Sequence, residues 1–134
     1  MMRWTKKRAG GFTLIELLVV VAIIGILAGV VVGQYRTSIR KSKEAVLKEN
    51  LFRTRNAINQ YFADKGKYPF DLQTLVDDNY LRDVPYDPIT ESKYTWEEIP
   101  ADLGEEDISL EPGIADIRSG APGYAMNGSA FADW

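Results

Sequence analysis

The chain has 134 residues, 46% of them hydrophobic, with no cysteine and no histidine, which excludes disulfide frameworks, thiolate chemistry, His-containing triads and zinc sites built from either residue. The formal net charge of -3 sums two opposite halves: residues 1–60 carry eleven Lys/Arg against three Asp/Glu, and residues 61–134 carry five against sixteen. A basic block beside an apolar stretch favours a membrane surface over nucleic acid, and with carboxylates, Ser, Tyr and Lys the only chemistry left, the chain is not expected to be an enzyme.

From Phe12 to Gly33 the sequence reads FTLIELLVVVAIIGILAGVVVG, and fifteen of these 22 residues are Leu, Ile, Val or Phe. As a helix the segment rises roughly 33 Å, close to a hydrocarbon core of about 30 Å. At about -0.3 to -0.6 kcal/mol each, the fifteen contribute roughly -4 to -9 kcal/mol to insertion. One mid-membrane charge costs about 3 kcal/mol, so Glu16, near one end of the run, does not prevent spanning. A secretory signal peptide also starts basic, but its apolar region usually spans about 7–15 residues and closes in a small-residue cleavage site. No A-x-A pattern follows this run. An uncleaved anchor or something more specific remains.

The residues upstream decide. Arg3, Lys6, Lys7 and Arg8 precede Gly10-Gly11, and Phe12-Thr13-Leu14-Ile15-Glu16 follow. This block resembles the class III signal of type IV pilins and pseudopilins. The resemblance implies that a prepilin peptidase cuts after Gly11 and methylates the new amino terminus at Phe12. It also assigns Glu16 to filament assembly, as partner of a subunit's amino terminus. A carboxylate just inside the apolar layer is by itself a functional-site expectation. The plain alternative is a tolerated interfacial charge.

Gly25, Gly29 and Gly33 form a G-x-x-x-G-x-x-x-G series that would let another helix approach closely; otherwise they only loosen the helix. Arg36, Arg40, Lys41 and Lys43 follow the span and nearly balance the leader's charge, so the orientation, amino terminus in the cytoplasm, comes from the resemblance. This basic cluster reads as a solvated or headgroup-contacting collar rather than a nucleic-acid site.

The helix is expected to continue to about Asp64. Leu47, Leu51, Ile58 and Phe62, with Tyr61 beside them, make one apolar stripe, to be buried under a small domain. Gly66 and then Tyr68-Pro69 stop it, giving a helix roughly 80 Å long at about 1.5 Å per residue.

Tyr61 to Thr90 reads YFADKGKYPFDLQTLVDDNYLRDVPYDPIT. It resembles the type II secretion major pseudopilins, the protein G family, through Y-x-x-D-x-G-x-Y-P, L-x-x-L-V, Y-L and P-x-D-P. Leu72, Leu75, Val76 and Leu81 suit a short helix and turn, and Pro85, Asp87 and Pro88 mark another turn. Tyr94, Thr95 and Trp96 suggest a strand and Ile114–Ile117 a second. The acidic run Ala101–Glu111 between them reads as a solvated loop in which Glu105, Glu106 and Asp107 could attract a cation. The tail from Ser119 to Trp134 reads as an ordered loop pinned by Tyr124, Phe131 and Trp134.

In the pseudopilin family the equivalent loop commonly binds calcium. This tail departs from the family's S-x-G-x-D-G pattern, reading Ser119-Gly120-Ala121-Pro122-Gly123, and offers few of the roughly six to eight oxygen ligands calcium takes; a bound calcium would draw on Asp116, Ser119 and Asp133. The alternative is a metal-free loop held by packing of Trp134 and Tyr124. No cofactor is required.

The expected fold is α+β: a leader (1–11), a transmembrane and polymerisation half-helix (12–33), an amphipathic half-helix (34–64), and a head (65–134) with a small antiparallel β-sheet packed on the long helix and a C-terminal loop. The resemblance implies a single-pass inner-membrane subunit with a periplasmic head. After processing it would polymerise into the pseudopilus of type II secretion. Its partners would be copies of itself, minor pseudopilins, the prepilin peptidase and an inner-membrane assembly platform. A type IV pilus subunit and a single-pass anchored binding domain are the alternatives.

Overall fold

The computed structural model describes residues 2–3, 9–102, 104 and 111–134. Two compact units divide the chain, residues 1–38 and residues 39–134. The elements are helix α1 (Leu14–Lys65), helix α2 (Leu72–Asp77), strand β1 (Trp96–Pro100), strand β2 (Ile114–Ser119) and a 3-10 turn at Phe131–Asp133. The architecture is α+β, with one long helix and a two-stranded antiparallel sheet. Lys6, Lys7 and Arg8 of the leader and Glu105, Glu106 and Asp107 of the acidic run lie outside the described residues.

In the first unit, every Leu, Ile and Val from Leu14 to Val32 is more than half exposed, so nothing among the described residues covers this apolar surface. The helix is long and apolar enough to cross a membrane. It stays α-helical through Gly33, whose carbonyl accepts a hydrogen bond from Thr37 Oγ1 at 3.3 Å.

In the second unit, the later part of α1 buries Leu47, Leu51, Thr54, Ala57, Ile58 and Tyr61. Positions 47, 51, 54, 58 and 61 follow steps of four and three, one face of a 3.6-residue helix. The polar member is accommodated because Thr54 Oγ1 donates to the Asn50 carbonyl one turn back, at 2.8 Å. Phe62 departs from the expected stripe: it is 42% exposed because it lies one step around the helix from Tyr61, where it stacks on Tyr68 with ring centroids 4.5 Å apart. Helix α1 ends at Lys65, and Gly66 follows with φ +70 while its N–H donates to the Phe62 carbonyl. A left-handed residue in that place is the usual helix stop, and glycine takes it without a Cβ penalty.

Helix α2 starts at its Asp71 cap, whose carboxylate accepts from the Thr74 N–H at 2.7 Å and from Thr74 Oγ1 at 2.8 Å. It ends with Asn79 at φ 64 and with the Tyr80 N–H returned to the Leu75 carbonyl. Leu72 and Leu75 are buried, while Val76 and Leu81 are half-buried at the edge.

Strands β1 and β2 pair with Trp96 opposite Ser119, Glu97 opposite Arg118 and Glu98 opposite Ile117, and a register shift falls between Ile99 and Pro100. The first strand begins at Trp96, later than the sequence suggests, since Tyr94 is 94% exposed. Trp96 faces inward and its indole N–H donates to the Pro85 carbonyl at 2.7 Å. One core joins Leu47, Leu51, Ile58 and Tyr61 of α1 to Leu72 and Leu75 of α2, to Trp96, Ile114 and Ile117 of the sheet, and to Phe131 of the tail. Burying each of these large side chains contributes about 1.5–3 kcal/mol. Gly120 is needed where the chain leaves β2: a Cβ there would stand 2.2 Å from the Thr95 carbonyl oxygen, to which the Gly120 N–H donates.

Candidate functional site

The amino-terminal site is built by the start of α1. Gly11 and Phe12 precede the first helical residue, and Phe12 is 93% exposed. Thr13 caps the helix, its carbonyl accepting from the Leu17 N–H. Glu16 stands three residues on, and the two form a reciprocal pair. The Glu16 N–H donates to Thr13 Oγ1 at 3.3 Å, while Glu16 Oε2 accepts from the Thr13 N–H at 3.0 Å and from Thr13 Oγ1 at 3.2 Å. T-x-x-E is a capping box, which meets backbone donors that a helix start leaves free, and the acidic residue favours the positive end of the helix dipole. The carboxylate is thus satisfied within the chain, one residue from where an amine on Phe12 would lie. The capping box is legible in the sequence as Thr13-x-x-Glu16 before an apolar run, but reading Glu16 only as a membrane charge passes over it.

Further along, a Cβ at Gly25, Gly29 or Gly33 would meet nothing within 4 Å. Among the described residues nothing covers their face.

Two residues of the basic cluster that follows the apolar segment have partners in the head. The Arg40 guanidinium donates to the Tyr124 carbonyl at 2.9 Å and pairs with Glu44 at 3.6 Å, and Glu44 in turn accepts from the Met126 N–H at 2.9 Å. Lys43 reaches Glu91 at 3.5 Å. These two basic residues tie loops of the head to α1, which the linear sequence did not reveal because their partners lie about 50 to 80 positions away.

The three candidate contributors to a calcium site are engaged separately. Asp116 and Ser119, three apart in β2, point to opposite faces of the strand. Asp116 Oδ1 accepts from Arg55 Nε at 2.7 Å and from the Ile117 N–H at 2.8 Å. Ser119 Oγ is buried and donates to Asp87 Oδ2. Asp133 is exposed, in the 3-10 turn. Among the described residues no three acidic side chains converge on one point, and the donor set does not fit an ion that takes roughly six to eight oxygens.

Two other residues organise this region. Asp87, fully buried, accepts from the Ile89 N–H at 2.8 Å, the Thr90 N–H at 3.2 Å and Ser119 Oγ, so a residue read as a turn marker is the acceptor at which the turn and β2 meet. Arg55 donates to Asp116, to the Ile117 carbonyl at 2.9 Å and to the Trp134 carbonyl at 2.6 Å. Its signal was its place beside the buried stripe, four after Leu51 and three before Ile58. The tail is pinned by buried Phe131 and by Trp134, whose rings meet edge to face at 5.1 Å. The expected third pin fails: the Tyr124 ring is 66% exposed, and that residue contributes its backbone instead.

Two titrating groups are displaced. The hydrogen bond to Asp64 holds the Tyr80 hydroxyl up at about 12, with burial and the same carboxylate's charge adding to it. The hydrogen bond from Lys93 keeps the Asp83 carboxyl below its ordinary value. Both lie at the margin of the head, and neither has the setting of a reaction centre.

Residues 6–32 match the family model of the prokaryotic N-terminal methylation motif. The chain is 33% identical over 133 residues to the type II secretion system core protein G of Escherichia coli strain K12, covering 93% of this chain and 89% of that protein. It is 34% identical to the core protein G of Pseudomonas aeruginosa, over 62% of this chain and 70% of that one. The fimbrial protein EcpC of Eikenella corrodens is 39% identical over 84 residues, and the chain spans 55% of its length. No solved structure matches.

Proposed function

The chain belongs to the type II secretion system core protein G family, and we propose that it is the pseudopilin subunit which, after prepilin processing, polymerises into the periplasmic pseudopilus of type II secretion. The observation that carries this reading is a likeness to a core protein G along nearly the whole chain, joined to a methylation motif at the start of an exposed apolar helix. Its work is structural, with no catalytic step.

Cleavage after Gly11 leaves Phe12 as the amino terminus, which the peptidase methylates. The helix beginning at Leu14 holds the subunit in the inner membrane as a single span with the head in the periplasm. Polymerisation moves that apolar surface from lipid to neighbouring subunits. Glu16 then exchanges its contacts with Thr13 for the amine of another copy, and the open face of Gly25, Gly29 and Gly33 admits a neighbouring helix. Minor pseudopilins and an inner-membrane assembly platform are the further partners.

Coexpression with a type II secretion machinery lacking its own core protein G tests this. Restored export together with sheared filaments of this subunit is the expected result. Surface pili without restored export would favour the pilus reading, which the likeness to EcpC keeps in view.

A further inference from the structure

The calcium that the family resemblance raises for the tail and the cation found there are different groups. Arg55, carried on α1, places one positive charge among three oxygens that come from elsewhere in the head: Asp116 Oδ1 at 2.7 Å, the Ile117 carbonyl at 2.9 Å and the Trp134 carbonyl at 2.6 Å. A carboxylate and two carbonyls are the hard donors a divalent cation would seek, and the guanidinium holds all three with its own N–H groups. It carries five donors in a rigid fork and does not lose its charge in a protein. A second cation stands by, with Lys48 Nζ 4.5 Å from the centre of the Trp134 ring. A divalent ion entering this cluster would displace the guanidinium and meet the lysine's like charge.

We infer that Arg55 is a built-in cation that locks the tail and β2 onto α1 in place of a metal ion, making the head's fold independent of calcium. The device differs from a metal site in two ways. It cannot be removed by chelation or by a low-calcium environment, and it fixes the tail to a helix residue rather than to another loop. The remaining tail contacts fit around it: the Trp134 indole N–H donates to Ser129 Oγ at 2.7 Å, and Ser129 is itself held by Asn127.

The test uses the full chain in detergent micelles, melted with tryptophan fluorescence as the readout, in EGTA and in calcium chloride, alongside Arg55→Gln and Arg55→Lys. The wild-type curves in EGTA and calcium should superimpose, while Arg55→Gln should melt about 8 °C lower. In that variant the amides of residues 129–134 should exchange about tenfold faster. Arg55→Lys, which keeps the charge but not the fork, should fall between. If Arg55→Gln does not fold, Asp116→Asn, which removes the guanidinium's anionic partner, should show faster tail exchange with no calcium response. A wild-type melting temperature that drops in EGTA and returns with calcium would overturn the inference. So would tail exchange unchanged in Arg55→Gln, or in Asp116→Asn where that variant stands in.

Discussion

A buried carboxylate is tolerated when donors meet its oxygens, and Asp87 satisfies that condition with two backbone N–H groups and the Ser119 hydroxyl. Asp87→Ala strands all three donors in the interior, and we expect a loss of about 3 kcal/mol, read from urea unfolding. A loss under about 1 kcal/mol would show that the turn holds without it. Tyr80 gives a pH dependence. Its hydroxyl ionises near 10 in an unfolded chain and at about 12 in the fold, where Asp64 accepts its proton's hydrogen bond. Its contribution to stability is therefore whole below pH 10 and is lost as the pH rises through 12. In a spectrophotometric titration one of the seven tyrosines should ionise late, and that late step should be missing in Tyr80→Phe. The turn at Asp87 was legible beforehand, since its N–H donors lie two and three residues on; the bonds from Ser119 to Asp87 and from Tyr80 to Asp64 were not, because they join residues 32 and 16 positions apart and a short-range pattern carries no record of such partners.

Among the elements, α1 was the most legible. Its apolar half announces itself by composition, and its later half by the spacing of Leu47, Leu51 and Ile58. The sequence reading went astray at Phe62 because Thr54 and Ala57 do not look like core residues, so the stripe seemed to run by steps of four and seven instead of four and three. Ile58→Ala should cost about 3 kcal/mol, whereas Phe62→Ala should cost about 1 kcal/mol or less, as it removes a half-exposed stack. Comparable losses in paired denaturation curves would contradict this placement of the face. Strand β1 was half legible: Trp96 marks it, but Glu97 and Glu98 hide the usual strand composition. At the other end of α1, Glu16→Ala should leave membrane insertion intact, since it removes a charge that opposes insertion by less than the about 3 kcal/mol of a mid-membrane position, and should sharply reduce filament yield. Filaments in undiminished amount would sink the role given to Glu16.

For the molecule as a whole, the opposite charges of its two halves correspond to two tasks. The basic first half surrounds and follows an apolar span, and the acidic second half belongs to a head that packs around the later turns of α1. The long apolar helix, the small sheet and the family could all be read from the chain alone, because they rest on local composition and short motifs. How the tail is fastened could not, since Asp116, Ser119 and Asp133 suit a cation by residue type while the folded chain gives Asp116 to Arg55 and Ser119 to Asp87. In the proposed function this chain is a precursor cut before Phe12 to make a filament subunit. The most direct test is the intact mass of the membrane-extracted protein, with and without a coexpressed prepilin peptidase. The chain should begin at Phe12 and carry one added methyl group only when the peptidase is present; an unshortened mass in both samples would rule out processing at that site.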